Sequence, residues 1–254
     1  MRKSKVLNIL RAGKVVNCLK LNLPGGEVAE IAAQTGFDCV WLDREHVVQD
    51  WSDLKAQNWA SKAHGADVMI RVPRGSYSDL IKPLEMDATG ILVPHVMSLE
   101  DAKRIVHFTR FHPVGRRPID GGNADGAYTA MDFSEYLREA NDQRFIALQI
   151  EDPEPLDELE AIAALEGYDM LFFGPGDFSH GIGAPGQWDH PLLVETCRRI
   201  AEVARKHGKF AATTCGVDNA ASLIEEGYQF LSIGADVVGL NVYCRNLLDK
   251  FRAI

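Results

Sequence analysis

Positive charge is in short supply in this chain. Its 27 Lys and Arg stand against 36 Asp and Glu, a formal net charge of −9. A nucleic-acid groove or a patch for an anionic membrane needs the opposite sign, so neither partner is expected. Small anionic substrates stay open, because one local Arg or a metal ion overrides the global sign. Cysteine is sparse too. The five thiols, Cys18, Cys39, Cys197, Cys215 and Cys244, are odd in number and form no C-x-x-C pair. That argues against a disulfide framework and for reduced thiols in a cytosolic compartment. No apolar run approaches the length that crosses a bilayer, and the basic start Met1-Arg2-Lys3-Ser4-Lys5 leads into no signal-peptide core. A soluble cytoplasmic protein is expected. Also missing are a G-x-G-x-x-G after the first strand, a Ser-centred nucleophile elbow and a cysteine with a paired base. Their absence weighs against a dinucleotide fold and against covalent acyl chemistry.

What is present is a regular alternation. The 254 residues are 46% hydrophobic and 25% charged, an ordinary globular balance at the usual length of one α/β barrel. Apolar runs bounded by turn residues read as buried strands at 15–21, 37–42, 67–73, 90–96, 145–150, 170–173, 210–214 and 230–233. Helical patterns fall between them at 27–34, 51–64, 76–86, 98–110, 131–141, 155–165, 191–207 and 219–226, with a last one at 235–252. The stretch 111–129 is rich in Gly, Arg, Pro and Asp and has no periodicity. Eight strands alternating with helices, and no shift in composition to mark a linker, predict a single (β/α)8 TIM barrel over 1–254. An open doubly wound sheet is the rival.

In a barrel, chemistry collects where strands run into the following helices. The second strand delivers Asp43, Glu45 and His46 there, the third Arg71, the fifth Gln149 and Glu151, and the sixth Asp177. Two features frame this set. Leu148-Gln149-Ile150-Glu151-Asp152-Pro153 and Phe173-Gly174-Pro175-Gly176-Asp177-Phe178-Ser179 are apolar runs that end in acid, glycine and proline. A buried strand ending in bare carboxylates needs something positive to meet them, and two such ends offer oxygen ligands to a divalent cation. Side chains alternate along a strand, so Gln149 and Glu151 share a face and Asp152 reads as a helix cap. Each residue also has a plainer role: a strand-end carboxylate is often an N-cap, a lone His is often structural, and Arg71 suits a salt bridge as well as a substrate carboxylate. Asp43 three residues before His46 raises the base reading, since a carboxylate fixes an imidazole's tautomer. Glu45 leans structural. Gly176 and Asp177 N–H groups in a small-residue turn suit an anion. Lys20 is the lysine nearest a productive strand end and the Schiff-base candidate. Residues 213–216 and 232–235 keep a phosphosugar open as a minority reading.

Asp43-x-Glu45-His46, Arg71-Val72-Pro73, Gly90-Ile91-Leu92-Val93-Pro94, Gln149-Ile150-Glu151 and Gly174-Pro175-Gly176-Asp177-Phe178-Ser179 together resemble the HpcH/HpaI family of class II pyruvate aldolases, over nearly the whole chain. The resemblance implies a barrel of the phosphoenolpyruvate/pyruvate-domain type and a divalent metal, Mg2+, Mn2+ or Co2+, bound by Glu151 and Asp177. It implies Arg71 on the pyruvate oxygens, Gln149 in the same pocket, the Gly176 and Asp177 amides on the carboxylate, and His46 with Asp43 in proton transfer. It also implies a hexamer, with the 235–252 helix at a subunit interface. The chain departs from the family pattern in three places. Asp87 stands where a glycine is usual. Glu85 is one methylene longer than an aspartate that reaches a neighbouring subunit's site. The segment 115–123 differs from the usual Gly-x-Arg-Gly.

The reaction implied is reversible cleavage of a 4-hydroxy-2-oxo acid to pyruvate and an aldehyde, with 111–129 expected beside the pocket as the loop that sets the aldehyde. Arg116 and Arg117 there would meet an acidic substrate tail or lie in solvent. The rivals are oxaloacetate decarboxylation or CoA-ester lysis at the same metal site, and a non-catalytic keto-acid-binding barrel.

Overall fold

The apolar runs become strands because both of their faces find cover, one in the barrel interior and the other under helices. In the computed structural model, which describes residues 1–254, eight parallel strands close into a barrel in chain order. They are β1 (Val16–Leu21), β2 (Cys39–Asp43), β3 (Asp67–Arg71), β4 (Gly90–Val93), β5 (Phe145–Ile150), β6 (Met170–Phe173), β7 (Phe210–Thr214) and β8 (Tyr228–Ala235). The helices outside them are α2 (Gly26–Thr35), α3 (Trp51–Ala63), α4 (Tyr77–Glu85), α5 (Leu99–Thr109), α6 (Phe133–Gln143), α7 (Leu159–Ala164), α9 (Pro191–Lys206) and α10 (Val217–Glu226). The single barrel expected from the alternation is the observed fold, and the open sheet is excluded by closure of β8 on β1.

Cys18, Cys39, Trp41, Met69, Phe145 and Phe172 pack against one another in the interior, while Leu42, Ile70, Ile146 and Leu171 face the helices. The two-residue period then carries Lys20, Asp43 and Arg71, two positions beyond Cys18, Trp41 and Met69, inward at the C-terminal mouth. Register completes the arrangement, because Asp43 and Arg71 are direct partners across β2 and β3.

Four features lie outside the strand-and-helix reading. A first helix, α1 (Lys5–Arg11), closes the opposite end of the barrel. Its Val6, Leu7 and Leu10 join the interior core. The buried carboxylate of Asp67, at the start of β3, accepts from Ser4 Oγ and the Val6 N–H at 2.9 Å each. A seven-residue helix has too few turns to show periodicity in sequence. Secondly, α8 (Pro175–Gly181) turns the expected Gly-Pro-Gly turn into a short helix with Pro in its first turn.

Thirdly, the loop after α5 connects a helix to α6 and β5, so it belongs to the helix-to-strand side of the unit and not to the mouth. It is folded, with a 3-10 turn at Ala124–Thr129 packed on α4 and α6. Arg117, buried, donates to Asp125 at 2.7 Å, and Tyr136 donates to the same oxygen at 2.9 Å. The expectation that this loop borders the pocket within its own chain is corrected, and so is the substrate-facing role of Arg117, whose charge is spent inside the loop. Arg116 is exposed. Glu85 faces the same loop, in a cavity of about 370 Å³ shared with Asn123, Ala124 and Tyr128.

Fourthly, Asp87 has φ of +67°, a left-handed conformation that glycine adopts without strain and aspartate does not. Here the strain is offset by ion pairs from Lys62 and Arg144 to its carboxylate. The last helix, α11 (Asp236–Arg252), buries none of its residues.

Asp67→Ala removes the acceptor that ties α1 to β3. A loss of about 1–3 kcal/mol is expected in urea denaturation, and an unchanged midpoint would show that the plug is held by apolar packing alone.

Candidate active site

The floor of the mouth is aromatic. Trp41 meets Phe172 edge-on at 5.5 Å, and both Lys20 Nζ and the Arg71 guanidinium lie over the Trp41 ring, at 5.1 and 5.0 Å. Above it sits Asp43, fully buried. It accepts from Arg71 Nε at 3.0 Å and Arg71 Nη2, from Lys20 Nζ at 2.9 Å, and from the Glu45 and His46 backbone N–H groups at 3.0 and 3.4 Å. Burial pushes the Asp43 pKa up, but the Arg71 hydrogen bond and charge, with Lys20, outweigh it and hold it at about 2. Arg71 also reaches Glu45 Oε2 through Nη1 at 3.0 Å. Glu45 is thus part of the site, not a bystander.

The expected side-chain pair of Asp43 and His46 is not formed. Asp43 meets His46 through the backbone, and the His46 ring, 57% exposed, has its Nε2 3.6 Å from Glu45. The reason is competition: Arg71 and Lys20 occupy the carboxylate before the imidazole can reach it. Lys20 enters the site as an ion-pair partner of Asp43, and this engagement disfavours the Schiff-base role.

Glu151, just past the end of β5, and Asp177, in the first turn of α8, are near enough for their charges to interact. Glu151 is fully buried, with Oε1 accepting from the His95 N–H at 2.9 Å and Oε2 from Gln149 Nε2. Burial raises its pKa to about 7 and the charges of Asp177 and Glu45 add to the rise, against the lowering influence of His95. A buried carboxylate whose neighbour is another carboxylate fits a cation between them. Gly174 makes the room, since a Cβ there would lie 2.6 Å from Glu151 Oε2 and 2.8 Å from Gln149 Nε2. A pair of protein carboxylates matches the habits of Mg2+ and its relatives, which are held by one or two carboxylates and keep several waters. Asp177 is exposed in the first turn of α8, where the Gly176 and Asp177 N–H groups have no intrahelical acceptor.

Two residues read differently in sequence. Asp152 is not a cap: it receives His95 Nδ1 at 2.8 Å, because the chain leaves strand geometry after Ile150 and turns the side chain back to the rim. His95 also stands at this rim, although no motif in the sequence singles it out; it follows β4 as Arg71 ends β3. Its position just past a strand's C-terminal end was the available signal. The slot after β8, where a phosphate would bind, holds Asp236, whose carboxylate takes the Asn22 and Leu23 N–H groups at 2.8 and 2.9 Å. A fixed negative charge there disfavours a phosphosugar.

The raised Glu151 pKa has a definite sign for stability. In metal-free protein the native state holds this proton more tightly than the unfolded chain, so the contribution is present below pH 4.5 and is lost as pH rises toward about 7. Glu151→Gln is therefore expected to stabilise the metal-free protein at pH 8 and to leave it unchanged below pH 4.5. Urea titrations at both pH values check this, and equal midpoints at pH 8 would contradict it. Gly174→Ala, by forcing Glu151 and Gln149 aside, should abolish high-affinity divalent-metal binding measured by calorimetry while the circular dichroism spectrum stays native.

The sequence model of the HpcH/HpaI aldolase/citrate lyase family matches residues 21–241. The 2-keto-3-deoxy-L-rhamnonate aldolase of Escherichia coli O17:K52:H18 (strain UMN026 / ExPEC) is 32% identical over 232 residues, covering 90% of this chain and 86% of its own. The hydroxypyruvate/pyruvate aldolase of Pseudomonas aeruginosa is 32% identical over 244 residues, covering 96% and 91%. In structure, an HpcH/HpaI aldolase from Desulfitobacterium hafniense DCB-2 superposes with a TM-score of 0.92 at 26% identity, covering 98% of this chain and 97% of that one. With the family match spanning nearly the whole barrel, and with relatives that are carbon–carbon lyases of the aldolase type, this chain belongs to the HpcH/HpaI aldolase/citrate lyase family.

Proposed function

We propose that the protein is a divalent-metal-dependent aldolase that reversibly cleaves a 4-hydroxy-2-oxo acid to pyruvate and an aldehyde. The observation that carries this reading is the buried Glu151, its pKa raised to about 7 in the neighbourhood of Asp177, on the same rim as Arg71. Glu151 and Asp177 would hold Mg2+, Mn2+ or Co2+. When bound, the metal supplies Lewis acidity at the keto oxygen of the substrate.

The chain's own groups do the rest. Asp43 and Glu45 lock the Arg71 guanidinium from two sides, so it presents fixed positive charge to the oxygens of the keto acid at no reorganisation cost. Gln149 holds Glu151 Oε2 and lines the same pocket. The Gly176 and Asp177 N–H groups, free of intrahelical acceptors in the first turn of α8, would receive the substrate carboxylate. His46, with its ring exposed at the rim, takes the proton from the C4 hydroxyl in cleavage and returns it in condensation. Asp43 contributes by holding Arg71 and the His46 backbone. The decarboxylase and CoA-ester lyase readings share this site and differ in the bond broken.

We infer further that copies of the chain associate, as a hexamer by family likeness, with α11 at an interface. Val238, Tyr243 and Phe251 on that helix are 60, 61 and 72% exposed, and apolar surface of this extent favours association. The five unpaired thiols support a cytoplasmic location, and no helix is long and apolar enough to cross a membrane.

Pyruvate formation from a 4-hydroxy-2-oxo acid should vanish with EDTA and return with Mg2+, Mn2+ or Co2+. Arg71→Met should lower kcat by about 10²–10³. Full activity in both Glu151→Gln and Asp177→Asn would overturn the assignment, and turnover of oxaloacetate with no hydroxy-oxo acid cleaved would favour decarboxylation.

A further inference from the structure

His95 follows Pro94 at the end of β4 with φ of +48°, a left-handed backbone that side chains other than glycine seldom adopt. That conformation has three consequences at the site. The His95 N–H donates to Glu151 Oε1 at 2.9 Å. Imidazole Nδ1 lies 2.8 Å from Asp152 Oδ2. Imidazole Nε2 lies 3.6 Å from Glu45 Oε1, and the other oxygen of Glu45 is 3.0 Å from Arg71 Nη1. One residue therefore touches carboxylates delivered by β2 and β5 and joins the Glu151 side of the rim to the Arg71 side.

The backbone contact alone does not explain a histidine here. Glycine would supply the same N–H without strain, whereas the contacts to Asp152 and Glu45 need a ring. Glu151 has its second oxygen on Gln149, so its carboxylate is held at both ends, and the His95 end depends on the loop that the ring pins. Local strain kept at a site and sustained by surrounding contacts has this form.

Resting on the aldolase reading, we propose that His95 is a positioning residue: its backbone fixes the Glu151 carboxylate, and its imidazole braces Asp152 and Glu45, so that metal affinity depends on a side chain that does not itself ligate. Outer contacts of this kind are worth about 10–100-fold in metal affinity.

Mn2+ binding to the full-length chain, measured by isothermal titration calorimetry alongside the thermal midpoint of the metal-free protein, tests it. His95→Gly keeps the N–H and removes the strain, so its Tm should stay at or above wild type while its Mn2+ affinity falls about tenfold. His95→Ala should lose at least as much affinity. His95→Asn, which tolerates the left-handed backbone and offers an amide donor toward Asp152, should recover part of it. Wild-type Mn2+ affinity in His95→Gly would overturn the inference alone. A fall in affinity matched by a collapsed Tm in the same variant would assign the ring to the fold and overturn it too. A wild-type chain that takes up no Mn2+ would overturn the metal reading, and this inference with it.

Discussion

The pair of Asp43 and Arg71, buried at the centre of the barrel mouth, is the contact on which the site depends. Removing one partner of such a pair leaves an uncompensated charge, at a cost of about 3–5 kcal/mol, whereas the intact pair is a poor source of net stability. Its value lies in orientation. Asp43 takes two donors from Arg71, one from Lys20 and two backbone N–H groups of the loop that carries Glu45 and His46. That single carboxylate therefore sets the aim of the guanidinium, the course of the β2 loop and the position of the ammonium over Trp41.

The opposite wall follows a different logic. Glu151 has no Lys or Arg on its carboxylate, and burial raises its pKa against the lowering influence of His95. Its geometry is kept by Gln149, by the His95 N–H and by the absence of a side chain at Gly174. One wall is electrostatically satisfied; on the other, a buried carboxylate with a raised pKa faces the charge of Asp177. In the proposed reaction a keto acid would bridge them, with fixed positive charge from Arg71 on one side and, when bound, a metal's Lewis acidity on the other, the asymmetry that stabilising an enolate requires.

Strain is confined to places where side chains hold it. Asp87 keeps its left-handed backbone beneath ion pairs from Lys62 and Arg144, away from the mouth. His95 keeps its own at the rim, against three carboxylates. The first serves the join between α4 and β4; the second serves the site.

The alternation of apolar runs and helical patterns determined the barrel, because a strand buried on both faces and followed by a helix has few other ways to satisfy its backbone. The two-residue period likewise determined that Glu151 and Gln149 share a face and that Arg71 points inward with Asp43. Contacts between loops were beyond its reach. Whether Asp43 would meet His46 or Arg71 depended on the register of β2 against β3 and on Lys20 arriving from β1. Whether Asp152 capped a helix or held His95 depended on where β5 ends. The loop after α5 looked functional from composition, but it runs from helix to strand, which places it at the end of the barrel opposite the mouth. Local pattern is written in residues two to four apart. Ion-pair partners and loop positions are selected by competition among groups from distant segments, and only the closed barrel brings those groups together.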